Sequence, residues 1–202
     1  MLQPVETIYI QHNFERVLQG DIYKDIEYPI LEMDEKNAVN KLNLITTQYI
    51  AVLSQDCDLE QDYKDRSNEN GKQDKHLDYI LAIPLFLASS LKNGSHLSDL
   101  GYISESYSSK DWDKIVSNQN PRYHYLMLYE EFQVPELVAD FKRYVTIPRS
   151  VLYSLKTSKY LATIDTLFRE NMSQRFANYF SRIGLPEVLP KETSSEQTSN
   201  IN

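Results

Sequence analysis

Residues 49–61, YIAVLSQDCDLEQ, decide the fold that we predict for this chain. The first five residues of this segment are apolar, and polar, acidic and thiol side chains follow them at once. Such an apolar run, bounded by polar residues, is typical of a strand that is buried on both faces. We therefore predict a central strand over roughly residues 45–54, which brings the acidic residues after it to one end of a sheet.

Further elements are predicted on both sides of this central strand. Apolar or alternating segments predict strands at residues 22–31, 77–87, 122–129 and 137–147. Apolar residues at helical spacing predict one long amphipathic helix over residues 160–184. This order of elements predicts an α+β fold, in which a strongly bent, mostly antiparallel sheet or small β-barrel carries a long C-terminal helix.

The length and composition of the chain favour one α+β domain over residues 1–186. The chain has 202 residues, and its 15 tyrosines against 5 glycines favour a sheet-rich body. Residues 63–76, YKDRSNENGKQDKH, are almost wholly polar and predict an exposed loop. Residues 187–202, EVLPKETSSEQTSNIN, are polar and of low complexity, and they predict a disordered tail.

Charge and cysteine content exclude several classes of protein. The formal net charge of −8 disfavours generic nucleic-acid binding, although a chain with this net charge can still carry a local basic face. The single cysteine excludes an internal disulfide and a cysteine-rich zinc site. No apolar run reaches the ~18 residues of a membrane span, and no signal-peptide pattern is present. We therefore expect a cytoplasmic protein without a membrane partner.

The acidic segment Asp56-Cys57-Asp58 is the first candidate site, and three interpretations of it stay open. The two carboxylates on one face could hold a divalent metal ion, with Asp140 as a further ligand. This ion is the one cofactor that the sequence suggests. Cys57 could instead act as a nucleophile beside His124. In the structural interpretation, Asp58 caps a helix, Asp56 binds backbone amides and Cys57 is a small buried residue.

Positive charge late in the sequence gives a second candidate site, for substrate binding. Arg122 lies beside aromatic residues in NPRYHY, where it could hold a phosphate while a ring stacks on a base. Lys142, Arg143 and Arg149 follow, and together with Arg122 they could form a local basic face for nucleic acid. The alternative interpretations are the two ordinary faces of a sheet and a solvated charged surface.

Four short motifs resemble those of the MazF/PemK-type plasmid-maintenance toxins. In chain order they are Gly20-Asp21-Ile22, Ala51-Val52-Leu53-Ser54, Ile83-Pro84-Leu85 and Val138-Ala139-Asp140-Phe141-Lys142-Arg143. The resemblance covers residues 20–152 with a large insertion, and it implies an SH3-like β-barrel. The toxins' catalytic Arg and Thr or Ser are missing, because Thr47-Gln48 and Leu85-Phe86 stand in those places.

The barrel resemblance without its catalytic residues and the acidic segment at residues 56–58 lead to two functional hypotheses. The SQDCDLE and RYHYL segments resemble those of uncharacterised bacterial proteins with a Ser-(Gln/His)-Asp-Cys-Asp segment, a resemblance that implies no activity. The first hypothesis is a non-catalytic interaction protein of a bacterial mobile-element, toxin–antitoxin or phage-defence system. The alternative is a metal-dependent hydrolase of nucleic acid with Asp56 and Asp58 as ligands, so enzymatic activity stays open. A protein partner or a second copy is expected on the C-terminal helix.

Overall fold

The computed structural model of the chain describes residues 8–34 and 39–181. The predicted tail at residues 187–202 and both ends of the predicted domain over residues 1–186 lie outside these ranges. The strands are β1 (Tyr9–Ile10), β2 (Asp21–Asp34), β3 (Val39–Val52), β4 (Tyr79–Leu87), β5 (Tyr123–Leu126), β6 (Leu137–Asp140), β7 (Val145–Pro148) and β8 (Tyr160–Ile164). The α-helices are α1 (Asp56–Arg66), α2 (Ala88–Asn93), α3 (Ser109–Val116), α4 (Arg149–Lys159) and α5 (Thr166–Phe180).

The eight strands form one antiparallel sheet, curled into an open half-barrel. Their order across the sheet is β1-β8-β2-β3-β4-β6-β5, and β7 pairs with the part of β4 that β6 leaves free. This confirms the predicted α+β class with a bent antiparallel sheet and a C-terminal helix. Among the described residues, none of the helices has both the length and the apolar character of a membrane span.

The predicted central strand lies mid-sheet as β3, between β2 and β4. Ala51 pairs with Ile22 of β2 on one side and with Ile83 of β4 on the other. Ile50, Ala51 and Val52 are completely buried, because helices cover both faces of the sheet here. The chain leaves the core directly after Leu53, which places the polar segment 54–58 at the end of this buried strand.

Two hydrophobic layers cover opposite faces of the sheet. The layer beneath α5 contains Ile22, Ala51, Leu85 and Phe141, and Met172 of α5 is completely buried in it. The layer beneath α1 and α4 is formed by other residues, among them Tyr23, Ile26, Ile50, Val52, Leu59 and Leu152. Because both layers are apolar, residues 50–52 at the end of β3 have no polar face, as their sequence predicts.

The imperfect alternation of residues 22–31 has a backbone cause. Ile22 faces the α5 layer, whereas Ile26, which has the same parity, faces the α4 layer. Between them Asp25 has a φ of 51°, in the left-handed region. This residue reverses the side-chain alternation of β2 while the pairing with β3 continues on both sides of it.

Two sequence predictions of continuous elements are wrong. The predicted helix over residues 160–184 begins with a strand, β8, whose Ala162 pairs with Ile22, and α5 begins only at Thr166. The predicted strand over residues 137–147 is broken by a 3₁₀ turn, Phe141–Arg143, because the Asp140 side chain accepts a hydrogen bond from the Lys142 amide. This turn divides the segment into β6 and β7, which pair with different parts of β4.

The polar segment after β3 is also more ordered than its composition predicts. Helix α1 begins at Asp56 and not at Asp58, and it continues to Arg66. The first part of the predicted loop at residues 63–76 is therefore helical, and a 3₁₀ turn, Gln73–Lys75, follows within it. Salt bridges within the helix, such as Arg66 to Asp62 at 2.7 Å, stabilise this polar sequence as a helix.

Candidate binding cleft

A buried carboxylate fixes the start of β2, directly below the end of β3. Asp21 is completely buried and accepts four hydrogen bonds. The donors are the Leu18 amide (2.9 Å), His12 Nε2 (2.8 Å), the Tyr23 hydroxyl (3.1 Å) and Thr163 Oγ1 (2.6 Å). Since these donors come from the segment before β2, from β2 and from β8, one side chain joins all three.

The proton of His12 lies on the nitrogen that faces Asp21. The Phe14 amide donates to His12 Nδ1 at 3.1 Å, so the neutral ring carries its proton on Nε2. Nε2 therefore donates to Asp21 Oδ1. Both ring nitrogens are engaged, and the His12 side chain is only 5% exposed. The pair is thus a structural support of the turn before β2.

Gly20 allows β2, β8 and α5 to meet at this point. Its φ is 87°, in the region that favours glycine. A Cβ atom here would lie 2.9 Å from the Ile164 carbonyl oxygen and 3.2 Å from Cβ of Arg169. The close approach places α5 beside the start of α1, and these two helices form the walls of a cleft.

Asp56, the first residue of α1, forms an ion pair at the edge of this cleft. Arg16 Nη1 and Nη2 donate to its two carboxylate oxygens, each at 3.0 Å. The Gln19 amide donates to Oδ1 at 3.3 Å, and Arg169 Nη1 lies 3.9 Å from the same oxygen. Burial raises the pKa of the Asp56 carboxyl, but the hydrogen bonds and charge of Arg16, together with the Gln19 amide and the charge of Arg169, outweigh burial and hold this pKa below its usual range.

The cleft between α1 and α5 has a volume of about 410 Å³. Apolar side chains from β4, from α5 and from the residue directly after β3 form much of its lining, and Asp58 is the one charged residue among the described residues that line it. Gln19 fixes one wall, because its Nε2 donates to Ser173 Oγ of α5 at 2.8 Å. The lining residues are Gln19, Leu53, Ser54, Gln55, Asp58, Leu77, Leu81, Ser173, Phe176 and Ala177.

Cys57 and Asp58 are exposed on the first turn of α1. Cys57 Sγ lies 3.6 Å from Gln55 Oε1 and 3.8 Å from Asp58 Oδ1. His124, the predicted partner of Cys57, is buried on β5 at the edge of the sheet, where its ring packs 6.3 Å from that of Phe141. Burial, with a smaller contribution from Arg175, lowers the pKa of His124 to about 3.

Asp140 and Arg122 form a second ion pair, separate from the cleft residues. Arg122 Nε and Nη2 donate to the Asp140 carboxylate at 2.8 Å and 2.6 Å. Asp140 is completely buried, and its hydrogen bonds raise the pKa of Arg122 further above the usual range of the guanidinium. The two predicted site residues therefore neutralise each other, and Arg122 lies 4.9 Å from the Tyr123 ring centre.

Arg149 of the predicted basic face is likewise engaged by a buried acid. Arg149 Nε donates to Asp62, which also accepts from Arg66 Nε and the Leu77 amide. Asp62 is 1% exposed. Of the other predicted members, Arg143 lies over the Tyr102 ring at 4.9 Å and Lys142 is exposed. The nucleic-acid face therefore stays a prediction, with two of its four cations paired to buried carboxylates.

The predicted metal ligands are distributed over different surroundings. Asp56 is held by Arg16, Asp140 is held by Arg122, and Asp58 is exposed in the cleft. Within residues 8–34 and 39–181, no group of three or more His, Cys, Asp or Glu side chains could hold a metal ion. The structure thus supplies no ligand cluster for the predicted divalent ion.

Several residues of the cleft were not predicted from the sequence. Arg16, Gln19 and Ser173 lie in segments without a chemical motif, and only the chain fold brings them beside residues 54–58. The turn signal at Gly20 and the apolar stripe that includes Phe176 were the sequence signals nearest to them.

Comparisons of the chain with protein-family models, with curated proteins and with solved structures give no match.

Proposed function

We propose that this chain is a non-catalytic interaction protein, which binds an apolar and basic segment of a partner protein in the cleft between α1 and α5. The observation that carries the proposal is the cleft of about 410 Å³ with a largely apolar lining and one carboxylate. Its volume is within the range of ligand sites in proteins, which are concave and mostly apolar with few polar groups.

The lining indicates which chemistry the occupant has. Leu53, Leu81 and Phe176 would contact an apolar side chain of the partner. The Asp58 carboxylate would pair with a neighbouring Lys or Arg. The net charge of −8 adds long-range attraction for a cationic segment and disfavours an acidic one. An apolar residue flanked by positive charge therefore fits the cleft best.

The contacts of the acidic residues favour binding over hydrolysis. A metal-dependent hydrolase would need Asp56 and Asp58 as ligands, but Asp56 is engaged by both guanidinium nitrogens of Arg16. The resemblance to MazF/PemK-type toxins without their catalytic residues supports the same choice. We place the protein in a bacterial toxin–antitoxin, mobile-element or phage-defence system, where a toxin-like barrel serves as a binding scaffold.

A peptide selection tests this proposal. A random peptide library would be displayed and selected on the full chain, and the enriched peptides would be measured against an Ala177→Trp variant. Ala177 lines the cleft, so the indole would occupy it. We expect enriched peptides to combine an apolar residue with Lys or Arg, and their affinity to fall at least ~10-fold in Ala177→Trp.

The matched control is Asn171→Trp on another face of α5, where Asn171 lines a shallow depression with Glu170 and Gln174. This variant should bind the enriched peptides as the unchanged protein does. Equal binding by the Ala177→Trp variant, with its helical content retained, would contradict the proposed site. Enrichment of acidic peptides would contradict the proposed chemistry.

A further inference from the structure

Strand β7 has one edge that no other strand covers in the described part of the chain. Thr146 of β7 pairs with Leu81 of β4. The Leu81 amide donates to Ser54 Oγ and its carbonyl accepts from the Leu53 amide, so both backbone groups of Leu81 are turned away from β7. Because hydrogen-bonded and non-hydrogen-bonded pairs alternate in an antiparallel sheet, the N–H and C=O of Thr146 face away from β4.

This outer edge of β7 can accept a further strand. The Thr146 side chain is exposed, and its backbone groups have no hydrogen-bond partner within residues 8–34 and 39–181. Pro148, the next residue with the same orientation, has no N–H, which is typical of an edge position. Exposed edges are commonly protected by charged side chains, whereas the β7 sequence, VTIP, carries none.

The outer edge of β7 continues directly from the cleft between α1 and α5. Leu81, the pairing partner of Thr146, lines the cleft. Phe176 lines it as well, and its ring centre lies 5.9 Å from that of Tyr144, the residue before β7. The Tyr144 ring lies 5.0 Å from that of Phe180, and these two residues are 46% and 49% exposed. An apolar surface therefore connects the cleft with the outer edge of β7.

A cation without an anionic partner lies at the start of β7. The guanidinium of Arg143 lies over the Tyr102 ring at 4.9 Å, and its buried Nε has no hydrogen-bond partner. Lys142 beside it is exposed. The other arginines that the structure describes each bond to a carboxylate or to backbone carbonyls: Arg16, Arg66, Arg122, Arg149, Arg169 and Arg175. A carboxylate of a bound partner would give Arg143 the acceptor that the chain itself does not supply.

We propose that the partner segment continues from the cleft in an extended conformation and adds to the outer edge of β7 as a strand, with an acidic residue paired to Arg143. This inference rests on the proposed function, because the same segment occupies the cleft. The backbone of the added strand bonds to the N–H and C=O of Thr146, and its side chains pack on Tyr144 and Phe180. The segment thus carries a basic residue for Asp58 and an acidic residue for Arg143.

A Thr146→Pro variant tests the added strand. Proline removes the outward N–H and its ring blocks the edge, but the hydrogen bonds between β7 and β4 do not involve this amide. The peptides enriched on the full chain should bind Thr146→Pro at least ~10-fold more weakly than the unchanged protein. The matched control is Thr146→Val, which keeps the amide and should bind as the unchanged protein does. Far-UV circular dichroism would verify that both variants are folded.

Hydrogen exchange of the unchanged protein gives a second measurement that needs no variant. The Thr146 amide has no acceptor in the described part of the chain, so its exchange should slow at least ~10-fold when an enriched peptide is bound. A peptide that binds in the cleft alone leaves this amide at its rate in the free protein. That result would overturn the added strand.

The pairing with Arg143 is tested by a change of charge. We expect the enriched peptides to carry Asp or Glu as well as Lys or Arg, and Arg143→Gln to weaken their binding at least ~5-fold. Lys110→Gln makes the same change of charge at an exposed residue of α3 and should have no effect. Equal binding by Arg143→Gln and the unchanged protein would contradict the pairing.

Comparison with Ala177→Trp separates this inference from the proposed function. Weakening by Ala177→Trp but not by Thr146→Pro would overturn the added strand and retain the cleft. Weakening by Thr146→Pro alone would retain the added strand and contradict binding in the cleft. Enrichment of no peptide that is sensitive to Thr146→Pro would also overturn the added strand.

Discussion

Replacing Asp21 by alanine is expected to lower the free energy of unfolding by about 3–5 kcal/mol, because several buried donors lose their acceptor at a cost of ~1–3 kcal/mol each. Asp21 is completely buried and accepts hydrogen bonds from His12, the Leu18 amide, Tyr23 and Thr163. Alanine would leave all of these donors without their acceptor in the interior. Urea unfolding followed by circular dichroism at pH 7 measures the loss.

Two further variants define the cause of this loss. Asp21→Asn keeps one side-chain oxygen as an acceptor, so its loss should be smaller than that of Asp21→Ala. Asp113→Ala on the exposed surface of α3 should change stability by no more than ~0.5 kcal/mol. A loss for Asp21→Ala that is as small as that for Asp113→Ala would contradict the role of Asp21 as the anchor of β2.

The second large effect is a loss of stability in mild acid that depends on His124. Burial lowers the pKa of His124 from 6.5 to about 3 in the folded protein. Between these values the unfolded chain binds a proton that the folded chain does not, so stability decreases as the pH falls. At ~1.36 kcal/mol per pKa unit, His124 should account for about 2 kcal/mol between pH 6.5 and pH 5.

Urea unfolding at pH 7 and pH 5 measures this dependence. His124→Leu removes the titrating ring from its place beside Phe141, so the variant should lose about 2 kcal/mol less than the wild type between the two pH values. The carboxylates of Asp56 and Asp62 have lowered pKa values and affect stability at lower pH. An unchanged pH dependence in His124→Leu would contradict the assignment, and His76→Gln serves as the control.

Local sequence patterns correctly predicted the elements whose structure depends mainly on their own residues. The apolar run before Ser54 is buried on both faces, and it correctly predicts the central position of β3. Where tertiary contacts decide the structure, local patterns failed. Leu161 and Ile164 fit helical spacing, yet pairing with β1 and β2 makes residues 160–164 a strand.

The sequence likewise predicted one part of the candidate site and not the other. The acidic segment after β3 was predicted to lie at the end of a buried strand, and Ser54, Gln55 and Asp58 do line a cleft there. The partners of the acids could not be predicted, because Arg16 is 40 residues from Asp56 and has no motif around it. The prediction grouped Asp56 with the distant Asp140 as ligands of one metal ion, whereas each of these acids is paired with its own arginine.

The most direct test of the proposed binding site is a charge exchange between Asp58 and a bound peptide. Fluorescence anisotropy would compare a selected Lys-containing peptide with its Lys→Glu counterpart on the wild type and on Asp58→Lys. We expect the wild type to bind the Lys peptide at least ~5-fold more tightly, and Asp58→Lys to reverse this preference. The same preference for the Lys peptide in both proteins would contradict binding in the cleft between α1 and α5.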